Sequence, residues 1–130
     1  MDILERVFQS RLIKRIHKEM PDAVVLKTDP NYIQGFPDLL ILKGKHWASL
    51  EVKREEHASR RPNQDYWINK LNGMSFARFI YPENEEEILH ELRKALGAGR
   101  PSRVPEPEQL PLGELLIREA EGKISEEAGR

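Results

Sequence analysis

Asp38, Glu51 and Lys53 are the residues of this chain whose types and spacing could do chemistry together. Asp38 opens the run Asp38-Leu39-Leu40-Ile41-Leu42, which reads as a short strand buried on both faces. Residues 46–53, His-Trp-Ala-Ser-Leu-Glu-Val-Lys, read as a second strand. Lys43-Gly44-Lys45 joins them. Glycine at the first central position of a two-residue loop suits a type II′ turn, which connects antiparallel strands. In that register 43 faces 46, 41 faces 48, and Asp38 faces Glu51. Directly opposed residues point to one side of the sheet with Cβ atoms roughly 5 Å apart. Period two then brings Lys53 to the same side.

Two carboxylates held that close repel each other unless a cation lies between them. Oxygen ligands select a hard ion. Mg²⁺ fits best, because it keeps several waters and needs only one or two carboxylates; Mn²⁺ is the natural substitute. Such an ion binds a phosphate oxygen and makes a bound water more acidic. Lys53 would orient the attacking water or offset charge developing on the phosphate. The competing reading is a plain cross-strand salt bridge of Lys53 with Glu51 or Asp38.

Gly35-Phe36-Pro37-Asp38, followed by Glu51-Val52-Lys53, resembles the PD-(D/E)xK nuclease superfamily. Within it the chain is most similar to the virus-type replication-repair nucleases (VRR-Nuc), relatives of Holliday-junction resolvases. Glu5 and Gln9 fall where that family has a Glu and a Gln on its first helix, and Arg54 follows the lysine as it does there. Gln64, Trp67 and Gly73 recur as in the family's Gln-containing helix. The resemblance spans about residues 3–96. It implies a restriction-endonuclease-like α/β core with a mixed central sheet. It implies a metal held by Asp38 and Glu51, with the Val52 carbonyl and Glu5 as further ligands. The catalytic set would be Asp38, Glu51, Lys53 and Gln64, cutting DNA by in-line attack that leaves a 5′ phosphate. The implied substrate is branched or structured DNA in phage-type replication, recombination or repair. So small a core encloses little duplex, and a homodimer presenting two sites is the natural solution.

Composition sets the outer limits. At 130 residues, with 33% charged and 38% hydrophobic, the chain has room for one domain and an appendage. No apolar run approaches the length that spans a bilayer. The start Met1-Asp2-Ile3-Leu4-Glu5 lacks the basic and apolar regions of a signal peptide, and there is no cysteine. The cytoplasm of a bacterial or phage-infected cell is the expected location. Net charge is −1, which by itself argues against nucleic acid. The halves differ, however. Residues 1–81 hold 14 Lys/Arg against 10 Asp/Glu, and residues 82–130 hold 7 against 12. The first part is thus mildly basic despite its acidic site, which fits phosphate contact or ordinary surface charge.

The elements that must position these groups follow in order. Residues 2–20 read as an amphipathic helix with Leu4, Phe8, Leu12, Ile16 and Met20 inward, and Asp2 as its N-cap. Glu5 and Gln9 fall on that inward face, where polar groups need partners. Glu5 is a third site carboxylate on one reading and a capping-box residue on the other. Lys14, on the outer side, could track a phosphate backbone or simply be solvated. Residues 23–27 are strand-like, and 28–35 form a loop that leads into the site, so Lys27, Tyr32 and Gln34 are either candidates for substrate contact or plain loop residues. Arg54, Arg60 and Arg61 bracket a polar loop and could clamp phosphate. Pro62 suits the first turn of a second helix and Gly73 its end. Gln64, Trp67, Ile68 and Leu71 share one face of it; Gln64 either hydrogen-bonds the site or is a surface residue. Trp47 reads as packing, and the four histidines as surface residues without zinc spacing. A strand at 76–81 and a helix at 85–96 complete an order α-β-β-β-α-β-α.

Residues 1–97 therefore form the nuclease-like domain, 98–111 a Pro/Gly-rich linker, and 112–130 a tail in which Leu112, Leu115, Leu116 and Ile117 suggest a short helix. That tail would meet a neighbouring subunit or a protein partner, or stay disordered alone. Two other functional classes stay open. One is a module on a nuclease fold that grips nucleic acid without cutting. The other is an interaction protein working through its acidic tail.

Overall fold

Helix α1 (Ile3–Glu19) starts where expected, with the Asp2 carboxylate accepting the Glu5 N–H at 2.8 Å. The computed structural model describes residues 1–97. The expected linker at 98–111 and tail at 112–130 lie outside the described residues. After α1 come β1 (Val24–Lys27), β2 (Leu39–Lys43), β3 (His46–Val52), α2 (Pro62–Met74), β4 (Phe76–Ile80), a 3-10 turn at Pro82–Asn84, and α3 (Glu85–Ala95). The four strands form one sheet in the order β1-β2-β3-β4. β1–β2 and β2–β3 are antiparallel, and β3–β4 is parallel. The fold is therefore a mixed α/β arrangement of a four-stranded mixed sheet and three helices. Among the described residues no helix is long and apolar enough to cross a membrane.

The hairpin register is the one the turn chemistry demands. Lys43 faces His46, Ile41 faces Ala48, and Leu39 faces Leu50. Gly44 has φ 59° while no described non-glycine residue has positive φ, so only the first central turn residue is left-handed, as in type II′.

One side of the sheet packs Leu39, Ile41, Ala48, Leu50 and Val52 against α1 and α3, through Leu12, Ile16, Leu89 and Leu92 among others. Each such aliphatic side chain contributes roughly 1.5–3 kcal/mol by leaving water. Arg15 links the two helices by pairing with Glu19, Glu85 and Glu86, and Arg93 pairs with Glu19 at 2.9 Å. These glutamate contacts raise the Arg15 pKa and lower that of Glu86. On the other side α2 sets Ile68 and Leu71 on Ala77 and Phe79, with Phe36, Trp47 and Trp67 partly buried around them.

Three sequence expectations need correction. β2 is not buried on both faces: α2 lies over β3 and β4, so the neighbouring half of that side is open, and Leu42 is 37% exposed. Leu4 is exposed and not part of the core. The inward side of the first turn is instead taken by Glu5, which borders a cleft beyond the sheet end. Gly73 does not follow α2 but sits within its last turn without positive φ; the Ser75 N–H bonds to the Leu71 carbonyl and closes the helix there.

Candidate active site

The cleft lies at the end of the sheet where β3 finishes and α2 begins. In open α/β sheets this end, at strand C-termini and helix N-termini, is where ligands meet oriented backbone groups. Asp38 sits one step before β2. Its carbonyl accepts the Thr28 N–H at 2.9 Å, and its Oδ2 accepts the Val52 N–H at 2.9 Å. Thr28 Oγ1 donates to the Pro37 carbonyl at 2.6 Å. The loop-to-strand junction is therefore held from both neighbouring strands, which fixes where the carboxylate points.

Gly35 tightens the same loop. It has φ 82°, and a Cβ there would stand 2.5 Å from Asn63 Cγ at the start of α2. Gly35→Ala is thus expected to destabilise the fold by about 1–3 kcal/mol through backbone strain and the clash. A thermal melt checks it: an unchanged midpoint would show that the loop does not rest on α2.

Glu51 is 4% exposed and Lys53 7%. Lys53 is anchored by its own N–H, which donates to the Ile80 carbonyl at 2.9 Å. Its ammonium donates to Gln64 Oε1 at 2.9 Å and to the Ser59 carbonyl at 3.0 Å. Both are neutral oxygens, so the simple cross-strand salt bridge is not the arrangement formed. Gln64 is the hub. Its Oε1 also accepts the Arg61 N–H at 2.9 Å, the half of a capping box in which the third helical residue reaches back. Its Nε2 donates to Glu51 Oε1 at 3.0 Å. Only one orientation of the amide serves these three contacts, since a flip would set NH₂ against two donors.

Asp38 and Glu51 lie within hydrogen-bonding reach of each other. Burial, and then the Asp38 charge, push Glu51 up to about 9, against the pull of Lys53. Burial likewise raises Asp38, opposed by the Val52 N–H. Both shifts favour keeping a proton between the two carboxyls. Glu5 is raised by burial and by Asp2.

Does this set suit a hard divalent cation? Gln9 answers in part. It is 7% exposed, lines the cleft, and its Oε1 has no partner. A buried acceptor left bare costs about 1–3 kcal/mol, and Gln9 lines the same cleft as the two carboxylates. All the donors are oxygens, so the residues fit Mg²⁺. Among the described residues no three His, Asp or Glu side chains form a ready-made cage. Asp38 and Glu51 would therefore leave most coordination positions to water, which is the habit of that ion. Glu5 lines the cleft as a further carboxylate. Val52 buries its side chain in the core and gives its N–H to Asp38.

No family model, curated protein or solved structure matches this chain.

The cationic candidates divide. Lys27 and Arg61 line the cleft. Arg54 is exposed and pairs with Asp2 at 3.4 Å, beside the start of α1. Arg60 is turned elsewhere: its guanidinium lies 3.9 Å over the Phe79 ring, with Asp65 alongside. Tyr32 and Lys14 are exposed and outside the cleft lining, Tyr32 on the loop and Lys14 along the outer side of α1. His17, His46, His57 and His90 are all exposed. Among the lining residues that sequence reasoning missed are Arg6, Thr28 and Ser59. Arg6 was legible, since it follows Glu5 on the helix. Thr28 and Ser59 were not, because they act through a backbone register and a loop carbonyl.

Proposed function

We propose that this chain is a Mg²⁺-dependent endodeoxyribonuclease of the PD-(D/E)xK type, related to the VRR-Nuc family, acting on branched or otherwise structured DNA. The observation that carries the reading is the pairing of a half-buried Asp38 with a buried Glu51, with Lys53 beside them but donating to neutral oxygens. Two carboxyls held together away from water destabilise a fold once both ionise, and stability alone gives no reason to keep them.

Asp38 and Glu51 would hold the ion, with Gln9 and Glu5 in the lining of the same cleft. When bound, Mg²⁺ supplies positive charge at the scissile phosphate and acidifies a water. Lys53 holds the proton-bearing end of the network and faces charge that develops on phosphate. Gln64 keeps Lys53 and Glu51 at fixed separation. Arg6, Lys27 and Arg61 ring the carboxylates with cations that suit a DNA backbone. A homodimer would offer two such clefts to two strands.

The test is a panel of labelled branched, duplex and single-stranded DNAs, with and without Mg²⁺. Cleavage that EDTA abolishes, Mn²⁺ restores and branched DNA maximises is the expected result. Tight binding with no turnover would favour a non-cutting module instead. Neither binding nor turnover would reject the nuclease reading.

A further inference from the structure

The half of the sheet that α2 leaves open is apolar. Val24 and Leu26 of β1 stand opposite Leu42 and Leu40 of β2, on the side away from α1 and α3. Val24 is 51% exposed, Leu26 45% and Leu42 37%. Trp47, opposite Leu42, continues the row toward α2. β1 is also an edge strand, with one side of its backbone unpaired in the sheet. Contiguous apolar surface of this kind marks a place where something packs, and among the described residues nothing covers it.

The chain itself supplies a candidate. α3 ends at the hairpin end of the sheet, where Gly97 lies against His46: a Cβ on Gly97 would be 3.4 Å from His46 Nε2. His46 is paired with Lys43, the residue after Leu42. The chain thus leaves the described fold beside one end of the open face. Residues 98–109 hold few large apolar side chains, and 110–117 then read Leu-Pro-Leu-Gly-Glu-Leu-Leu-Ile. From Gly97 to Leu110 an extended chain reaches roughly 40 Å. The open face is only about 10 Å by 15 Å.

We infer that residues 110–117 fold back within the same chain and cover the open face of β1 and β2. The tether makes this encounter intramolecular, at an effective concentration that a second molecule in dilute solution does not match. The segment takes over the packing role that α2 plays on β3 and β4. It also shields an edge strand that would otherwise be open to strand addition.

The absence of cysteine makes a clean test, since only introduced thiols can react. In the full chain, Leu26→Cys is paired in turn with Leu112→Cys, Leu115→Cys or Leu116→Cys. Mild oxidation in dilute solution is expected to close an intramolecular disulfide in at least one pair. Ser10→Cys, on the outer side of α1, paired with the same tail positions, is expected to stay reduced. Disulfides between chains would assign the face to a second copy and overturn the inference. Equal closure from Ser10 and Leu26, or none from Leu26, would overturn it too. A second measurement leaves the described fold unaltered. The double variant Leu115→Glu with Leu116→Glu is expected to speed hydrogen exchange at β1 amides several-fold, and unchanged exchange would count against the proposal.

Discussion

Lys53→Met is expected to lower Mg²⁺-dependent cleavage by about 10²–10³-fold, the usual loss when one preorganised donor leaves a reaction site. Methionine keeps the length and packing of the stem and removes only the ammonium. The distances say why DNA affinity should barely change. Lys53 is almost wholly buried and its ammonium is bonded to Gln64 and to the Ser59 carbonyl, so it is not free to grip a distant phosphate. The loss should therefore fall on kcat and leave KM within a few-fold, the pattern of a contact made only in the transition state. Lys53→Arg is expected to fail as well, because a planar fork does not replace a point charge in this setting. Gln64→Ala should be milder, about 10–100-fold, as for groups that orient others. It strips Lys53 of one acceptor and Glu51 of a donor but leaves both in place. Single-turnover cleavage and anisotropy titration on the same DNA would separate the two effects. Wild-type cleavage by Lys53→Met would remove Lys53 from the chemistry, and loss of DNA affinity in step with rate would make it a binding residue.

How much of this was legible beforehand depended on the range of the interaction. The hairpin was readable because three local facts agree: a Gly at the turn, period-two alternation on β3, and a short strand on either side. From these the juxtaposition of Asp38 and Glu51 follows by counting, and the observed register, Leu39 opposite Leu50, is that count. Gln64 was readable as a polar residue at the head of a packing face. Its second role was less so: the same oxygen that meets Lys53 also caps α2 through Arg61. Long-range placement was harder. Arg60 looked like a phosphate clamp because it lies near the site in sequence, but Phe79 on β4 offers a ring that its guanidinium covers. Whether β2 is covered on one side or two depends on how far α2 extends across the sheet, which no local pattern in β2 encodes. Leu4 obeys the helical period and is still exposed, because the packing partner runs out before the helix does.

Without divalent cations, thermal stability is expected to fall as pH rises from about 5 toward 9, and Mg²⁺ is expected to restore more of it at the upper end. The sign follows from Glu51. Its ordinary value is 4.5, and burial next to Asp38 takes it to about 9 in the folded chain. Between those values the folded chain holds a proton that the unfolded chain has released. Its contribution is fully present below the unfolded value and is lost as pH climbs through the folded one. The slope from this group is at most about 1.4 kcal/mol per pH unit. In a domain of this size each kcal/mol moves the melting midpoint by roughly 4–8 °C. At roughly half that maximal slope, the midpoint is expected to be lower by about 6–11 °C at pH 8.5 than at pH 6.5. Glu86, lowered by Arg15, acts the other way, but only where pH falls through the carboxylate range, so the windows do not overlap. Mg²⁺ binds the deprotonated pair and competes with the shared proton, so its stabilisation should grow with pH. Glu51→Gln removes the charge that burial penalises. It is expected to raise the cation-free midpoint at pH 8, flatten the pH slope and abolish the Mg²⁺ gain together. A cation-free midpoint that does not depend on pH across this window would mean that Asp38 and Glu51 are not held against each other in a buried site. The metal reading would then lose its physical basis, even in a chain that cuts DNA.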